Sequence, residues 1–375
     1  NDFAPHLLKK GVRSAVLISG RFLTRPGEYG DQLIQQLQAA DVRLSIFTVS
    51  GEPSPETVDE IVQACPLDVE TVIGLGGGSV LDAAKAVAGL LPSRTSVMEY
   101  LEGVGKGRSL EGDTLPFIAL PTTAGTGSET TKNAVLSRLG EFKKSFRSDK
   151  LLAQAVWLDP SFLATCPQEV LYTTGLDAFT QLLESYTTLK ANPITDALAW
   201  QGITLFKGAF ETLETGSETE RQTAYGNLML AASLSGITLA NAGLGAVHGL
   251  AGPVGAFFEA PHGAVCARLL APITQANIHT LNSDDQPQAR ATLIKYDQIA
   301  RLFDAQGDTE EERLAQFIHV LDRLVERYSP TGLSAYGLTP NNLAPVLANC
   351  RSGSMLGNPV TLPDSTLKQA LLQAL

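Results

Sequence analysis

The chain has 375 residues, of which 44% are hydrophobic and 18% are charged, and its formal net charge is -11. This length is enough for two hydrophobic cores, and the composition is typical of folded globular proteins rather than of disordered chains. Nucleic acid is excluded as an expected partner, because an acidic surface repels a phosphate backbone.

Before Pro160, short strand patterns alternate with helical patterns, which is typical of parallel βαβ units. The predicted strands are Ser14–Ser19, Arg43–Val49, Thr71–Leu75 and Phe117–Leu120, and a last extended run covers Leu151–Leu158. The predicted helices are Tyr29–Ala40, Pro55–Ala64 and Ser79–Leu91. This order predicts an α/β domain with a parallel, Rossmann-like sheet over residues 1–160.

After Pro160 the hydrophobic spacing becomes helical and stays so. Asn192-Pro193 is typical of a helix start, and Thr309 with Glu312 has the spacing of a capping box. No charged residue lies between Arg221 and Glu259, but the glycines and polar residues of this stretch favour two buried helices over a membrane span. We predict an all-helical domain over residues 161–375, a cleft between the two domains, and no membrane association.

Two loops at predicted strand ends have the composition of a cofactor site. Gly74–Lys85 reads GLGGGSVLDAAK, so a strand runs through glycines into a helix whose N-terminus attracts anions, with Ser79 as its predicted cap. Leu120–Thr131 reads LPTTAGTGSETT and adds hydroxyls and glycines after the next strand. Each loop alone is also compatible with an ordinary turn. Together they favour a dinucleotide site.

Two of the five histidines, His248 and His262, flank the glycine-rich segment HGLAGPVGAFFEAPH, in which Glu259 is the one charged residue. A separate helical segment, GLDAFTQLLESY, places Asp177 and Gln181 on one face. A carboxylate inside an apolar helix needs a partner or a metal, although an Asp near a helix N-terminus also interacts with the helix dipole. We predict a buried cluster of Asp177, Gln181, His248 and His262.

In this order and spacing, these segments resemble the iron-containing alcohol dehydrogenase family, from the first strand to about Pro272. The resemblance implies an NAD(P)-dependent oxidoreductase that acts on CH–OH groups, with a divalent metal, iron or zinc, as Lewis acid. It implies Asp177, His248 and His262 as catalytic residues and metal ligands, with Gln181 at the fourth ligand position. The cofactor residues that it implies are Gly77, Gly78, Ser79, Asp82, Thr122, Thr123, Thr126 and Lys144.

Two positions depart from the family pattern. Gln181 replaces a histidine ligand, and an amide oxygen binds iron or zinc more weakly than imidazole does. This leaves open a weaker metal site, a different metal or no metal. Gly252 replaces a histidine near the nicotinamide, so water or the cofactor ribose would relay the proton. Three alternatives stay open: a metal-independent reductase similar to maleylacetate reductases, a lyase similar to dehydroquinate synthases, and a cofactor-binding protein without catalysis.

The end of the first strand bears on cofactor choice. In the family an acidic residue at the position of Gly20 is associated with NAD, because it binds the adenine ribose and repels a 2′-phosphate. Gly20 removes that repulsion, and Arg21 offers a planar, charged fork to the phosphate. The sequence therefore favours NADP(H) over NAD(H), although Gly20 is also compatible with a simple turn.

The four cysteines have no close pairs, which indicates free thiols in a reducing compartment and does not suggest a cysteine metal site. The N-terminal segment does not have the pattern of a signal peptide. We therefore expect a cytoplasmic enzyme that acts on a small alcohol or aldehyde. A homodimer stays open, and the substrate is not indicated.

Overall fold

The structure, a computed structural model, describes residues 3–21, 25 and 27–375. The chain divides into two compact units, of which the first ends at Cys166 and the second comprises Pro167–Leu375. The first unit contains helices and a parallel sheet, whereas the second is helical. The predicted fold class is therefore confirmed. The predicted domain boundary falls at the start of the 3-10 helix Pro160–Thr165, which is the last element of the first unit.

The strands of the first unit are β1 (Ser14–Gly20), β2 (Arg43–Val49), β3 (Thr71–Gly76), β4 (Phe117–Pro121), β5 (Asn133–Arg138), β6 (Phe142–Arg147) and β7 (Ala155–Val156). Its α-helices are α1 (Phe3–Lys9), α2 (Tyr29–Ala39), α3 (Pro55–Ala64) and α4 (Gly78–Leu90). Five strands form a parallel sheet in the order β2-β1-β3-β4-β7, and β5 with β6 forms a separate antiparallel hairpin.

The strand order creates a switch point between β1 and β3. From β1 the chain goes to β2 on one side, and then crosses to β3 on the other side. In open α/β sheets, ligands bind outside the carboxyl ends of the strands at such a point. Gly20 and Gly76 end the two strands there. β1, β3 and β4 are almost entirely buried, which explains their continuous apolar sequences.

The predicted extended run Leu151–Leu158 is confirmed in part. Ala155–Val156 forms a strand beside β4, and the N–H groups of Gln154 and Trp157 donate to β4 carbonyls at 2.8 Å, whereas Leu151 ends a 3-10 turn. Leu152 and Leu158 are exposed, so the apolar run that suggests a long strand does not mark a buried one.

The sequence prediction also misses the β5–β6 hairpin. Its buried apolar side chains recur along both strands and include Leu136, Phe142 and Phe146. Gly140, with φ of +80°, lies in the turn between the strands, where a residue without a side chain is favoured. The alternation around this glycine is a signal that could have revealed the hairpin.

A buried lysine connects α4 to the loop after β4. The Lys85 ammonium donates to the carbonyls of Ser128 and Asn133, both at 2.8 Å. Asp82 on the same helix accepts from the Ser128 hydroxyl at 2.5 Å and from the Val135 N–H at 3.0 Å. Burial raises the pKa of Asp82 even though Lys85 and these donors oppose the shift. The network fixes the loop against the glycine turn.

The helices of the second unit are α5 (Gln168–Thr187), α6 (Pro193–Phe206), α7 (Ala209–Thr215), α8 (Glu218–Ala242), α9 (Ala246–Phe257), α10 (His262–Leu281), α11 (Pro287–Leu302), α12 (Glu310–Tyr328), α13 (Ala344–Asn349) and α14 (Asp364–Gln373). Both predicted helix starts are confirmed. Asn192 caps α6, and Thr309 with Glu312 forms the capping box of α12. Helix α5 packs against α6, α8 and α10, and its residues from Gly175 to Thr187 are buried.

The uncharged stretch of the sequence forms most of α8 and all of α9. The two helices are bent by 100° at the break between them, where Gly243 has φ of +76°. No single helix in the described part of the chain is long and apolar enough to cross a membrane, and this bent pair passes only by length and composition. The bend starts a new helix that carries His248.

We expect the substitution Lys85→Met to lower the free energy of unfolding of the first unit by about 3–5 kcal/mol, because it leaves the buried Asp82 carboxylate without its cation. The chain has two tryptophans, Trp157 in the first unit and Trp200 in the second. Urea unfolding followed by fluorescence in a Trp200→Phe background therefore reports on the first unit. The exposed Lys190 provides the control Lys190→Met, and equal midpoints for both variants would contradict the expectation.

Candidate active site

Two carboxylates on α5 hold one histidine from α9. Asp177 and Glu184 lie two helical turns apart on the same face, and both are buried. His248 Nε2 lies 3.1 Å from Asp177 Oδ1, and His248 Nδ1 lies 2.6 Å from Glu184 Oε2. The second oxygen of Glu184 accepts from the Val247 N–H at 2.7 Å. The carboxylate thus fixes both the ring and the start of its helix.

A second histidine completes the group from the start of α10. His262 Nε2 lies 3.8 Å from the same Asp177 Oδ1 that contacts His248. Three of the four residues predicted to cluster, Asp177, His248 and His262, are therefore brought together by three different helices. The Nε2 atoms of both rings face one carboxylate oxygen.

Cys266 belongs to the same cluster, although the cysteine spacing in the sequence predicts only a free thiol. It lies one turn after His262 on α10, and its Sγ lies 3.5 Å from His248 Nε2 and 3.7 Å from His262 Nε2. One ligand atom from each of Asp177, His248, His262 and Cys266 lies within 4.8 Å of the others. The i, i+4 spacing of His262 and Cys266 is the signal that the sequence offers for this contact.

Gln181 lies one turn after Asp177 on α5 and is buried. Its side-chain oxygen lies 3.3 Å from the Ser235 hydroxyl of α8, and that hydroxyl has a shorter contact of 2.7 Å with the Ala232 carbonyl. These contacts do not join Gln181 to the three clustered side chains. The role of Gln181 as a ligand therefore stays a prediction.

The donor set fits a divalent metal of the zinc type. Ligand atoms about 2.0–2.3 Å from a tetrahedral metal lie roughly 3.3–3.8 Å from one another. Four of the separations in the cluster are 3.1, 3.5, 3.7 and 3.8 Å, and all of its ligand atoms lie within 4.8 Å of one another. The second nitrogen of His248 donates to a carboxylate, as is usual for metal-binding histidines. The residues are therefore spaced and supported as metal ligands.

The ionisation of the cluster follows from its burial and its charges. Burial acts to raise the pKa of Asp177, but His262 and the hydrogen bond from His248 outweigh it and hold that pKa at about 2. Burial acts to lower the pKa of His248, but Cys266, Asp177 and Glu184 shift it well upward. Burial raises the pKa of the Cys266 thiol to about 12. The site thus holds an anionic carboxylate next to a readily protonated imidazole.

In the first unit, the two predicted cofactor loops lie side by side. β3 and β4 pair in register up to Gly76 and Pro121, so the loops that follow leave the same edge of the sheet. A Cβ atom at Gly78 would lie 2.5 Å from Thr126 Oγ1, and one at Gly77 would lie 3.2 Å from Thr123 Oγ1. A side chain at Gly78 would therefore displace Thr126, and one at Gly77 would be tightly packed against Thr123. The N–H groups of the first turn of a helix have no intrahelical partners, which suits them to bind a phosphate.

The prediction that Ser79 caps α4 is wrong. The helix begins at Gly78 with Gly77 at the N-cap position, so Ser79 is already inside its first turn. A glycine cap suits this place because a Cβ there would lie only 3.2 Å from Thr123 of the neighbouring loop.

The remaining predicted cofactor residues differ in exposure. Thr122 is buried, and Asp82 is engaged by Ser128 and Val135. Lys144 is exposed on β6. Gly20 ends β1 opposite Val49 of β2, and Arg21 is exposed directly after it. All of these residues lie in the first unit.

Gly252 lies one turn after His248 on α9. A Cβ atom built at this position would meet no atom of the described chain within 4 Å. The face of α9 that carries His248 therefore has open space beside Gly252.

Comparison with known proteins gives consistent matches along the chain. The iron-containing alcohol dehydrogenase model matches residues 1–160, and the C-terminal model of the Fe-containing alcohol dehydrogenase family matches residues 171–375. Long-chain-alcohol dehydrogenase 1 of Geobacillus thermodenitrificans is 35% identical over 273 residues, which cover 72% of this chain and 68% of the relative. Alcohol dehydrogenase 4 of Saccharomyces cerevisiae is 31% identical over 327 residues, with 86% and 81% covered.

Solved structures share the fold. The alcohol dehydrogenase from Oenococcus oeni superimposes with a TM-score of 0.87 at 23% identity, and the match covers 100% of this chain and 95% of that one.

We expect the substitution Gly78→Ala to weaken dinucleotide binding at least about tenfold, which equals the loss of roughly one charge-assisted hydrogen bond. The new methyl group would collide with Thr126 and push the two loops apart. Fluorescence titration with NADPH and with NADH measures the affinity. Gly112→Ala is the matched control, because a Cβ there meets no atom of the described residues within 4 Å. Equal affinities for both variants would show that the glycine turn does not hold the cofactor.

Proposed function

Because the chain belongs to the iron-containing alcohol dehydrogenase family, whose members bind NAD(P) and a divalent metal, we propose that it interconverts a small alcohol and its aldehyde or ketone at a metal site built on Asp177, His248 and His262. The observation that supports this most strongly is the spacing of the cluster, with separations of 3.1–3.8 Å between ligand atoms. Such spacing fits one metal ion.

When bound, the metal supplies a Lewis acid that polarises a carbonyl oxygen or stabilises an alkoxide, and the nicotinamide supplies or accepts the hydride. Asp177 provides the negative charge that attracts the cation into a buried site. Glu184 accepts the Nδ1 proton of His248, so Nε2, which contacts Asp177, is the nitrogen that would lose its proton and bind the metal. Glu184 is thus a positioning residue rather than a ligand.

Proton transfer is proposed to use water or the cofactor ribose. Gly252 carries no titratable group at the place where the family pattern has a histidine. A Cβ atom added at Gly252 would have no atom of the described chain within 4 Å. This space has room for a water molecule or for part of the substrate.

For the cofactor we propose NADP(H) in preference to NAD(H). Gly20 ends β1 beside the switch point of the sheet, where a dinucleotide is expected to bind. It offers no carboxylate to repel a 2′-phosphate, and the exposed Arg21 follows it directly. The phosphate-binding part of the site is proposed to be the turn Gly77–Ser79, with Thr122, Thr123, Thr126 and Lys144 around the remainder.

A metal-independent reductase is the second candidate function. Gln181 favours it, since a neutral amide at a ligand position of the family pattern binds iron or zinc more weakly than imidazole does. Removal of metal by a chelator separates the two functions. Retained reductase activity after chelation, with metal content below one tenth of the protein, would favour the metal-independent enzyme.

We expect Asp177→Asn to abolish metal binding and to lower kcat/KM for aldehyde reduction at least about a hundredfold, because the charge-stabilising cation is lost. Dinucleotide affinity should stay unchanged, since the cofactor loops belong to the first unit. The measurements are elemental analysis, loss of nicotinamide absorbance with a series of aldehydes, and NADPH titration. The exposed Asp285 supplies the control Asp285→Asn. Full activity of Asp177→Asn would overturn the proposed site.

We expect Gly20→Asp to shift the ratio of kcat/KM for NADPH over NADH at least about tenfold towards NADH, because a carboxylate would repel the 2′-phosphate. Steady-state kinetics with both reduced cofactors on one aldehyde measure the ratio. Arg21→Gln tests the attractive half of the argument and should lower the same ratio without improving NADH. An unchanged ratio in both variants would place the selectivity elsewhere.

A further inference from the structure

Cys266 differs from the other buried cysteines in what its sulfur contacts. Its side chain has no exposed surface, yet Sγ lies 3.5 Å from His248 Nε2 and 3.7 Å from His262 Nε2. Cys350, by comparison, donates to a backbone carbonyl of its own helix, and Cys65 packs in a hydrophobic cluster. Of these three buried thiols, only Cys266 contacts the two ring nitrogens that face Asp177.

The sulfur of Cys266 also supplies a fourth ligand atom beside one carboxylate and two imidazoles. Asp177, His248 and His262 give three strong ligands, and with Cys266 as a fourth the substrate oxygen would enter as a fifth ligand, a coordination number that zinc reaches during catalysis. The side-chain oxygen of Gln181 is neutral and is a weaker ligand for zinc or iron than imidazole or thiolate. Cys266 reaches the same group from α10, one turn after His262. A donor lost on α5 is thus matched by a donor gained on α10.

We propose that Cys266 Sγ is a ligand of the active-site metal, and that the Asp-His-His-Cys donor set makes the site prefer zinc over ferrous iron. This inference rests on the proposed metal-assisted function. On binding, the metal–sulfur bond forms, the S–H bond breaks and the proton leaves to solvent. Thiolate is a soft ligand that suits zinc, whereas imidazole suits iron and zinc alike.

The test uses the full-length protein loaded with Co²⁺ as a spectroscopic probe. A thiolate ligand gives a sulfur-to-cobalt charge-transfer band in the near ultraviolet, which carboxylate, amide and imidazole ligands do not give. We expect this band in the wild-type protein and its loss in Cys266→Ser, with cobalt still bound through the remaining ligands. Cys65→Ser and Cys350→Ser are matched controls, since both remove a buried thiol away from the cluster, and both should keep the band.

X-ray absorption of the zinc-loaded wild-type protein provides a measurement that needs no variant. We expect one sulfur at about 2.3 Å together with nitrogen or oxygen ligands at about 2.0–2.2 Å. In a competition between equal concentrations of Zn²⁺ and Fe²⁺ under anaerobic conditions, the wild-type protein should bind zinc. The ratio of bound zinc to bound iron should fall at least about tenfold in Cys266→Ser.

The outcomes separate this inference from the proposed function. A cobalt-loaded, active wild type without a charge-transfer band, or a zinc shell without sulfur, overturns the role of Cys266 and leaves the metal-assisted function standing. A wild-type protein that binds neither cobalt nor zinc overturns both. A band that persists in Cys266→Ser but disappears in a control variant would assign the sulfur elsewhere and also overturn the inference.

Discussion

The double contact of His248 with Asp177 and Glu184 is the interaction on which the site depends. One imidazole is held at both nitrogens by two carboxylates from the same face of α5. Two buried carboxylates on one helix face would be costly without such partners. The contact therefore fixes α9 against α5, and the position of Asp177 in turn defines where His262 and Cys266 of α10 converge. The side chains that join these helices are thus also members of the candidate site.

The first unit depends on a different feature, which is the close packing of its two cofactor loops. Its cofactor edge has to bring backbone close to a ligand, and the close approach of Gly77 and Gly78 to the threonine loop achieves this. That loop is rich in glycine and would be poorly defined alone. Lys85, wholly buried, fixes it through the carbonyls of Ser128 and Asn133. A rigid network beneath the loop thus supports a surface made of small residues.

Patterns that are local in sequence predict the structure well. The strands β1 to β4, the capping box of α12 and the facing of Asp177 and Gln181 all follow from spacing along a few turns or strands. The Leu151–Leu158 run is only partly paired with the sheet, because its leucines at 152 and 158 are exposed rather than buried. Cys266 is missed because its contacts join three helices, and a lone cysteine in sequence looks like any other small apolar residue. Spacing alone also could not reveal that Ser235 engages Gln181.

The assembly of the cluster from three helices has a consequence for fragments of the chain. Asp177 lies on α5, His248 on α9, and His262 with Cys266 on α10. No short peptide contains all four side chains, so their arrangement exists only when these helices are packed. The cluster is therefore a local report on the tertiary structure of the second unit.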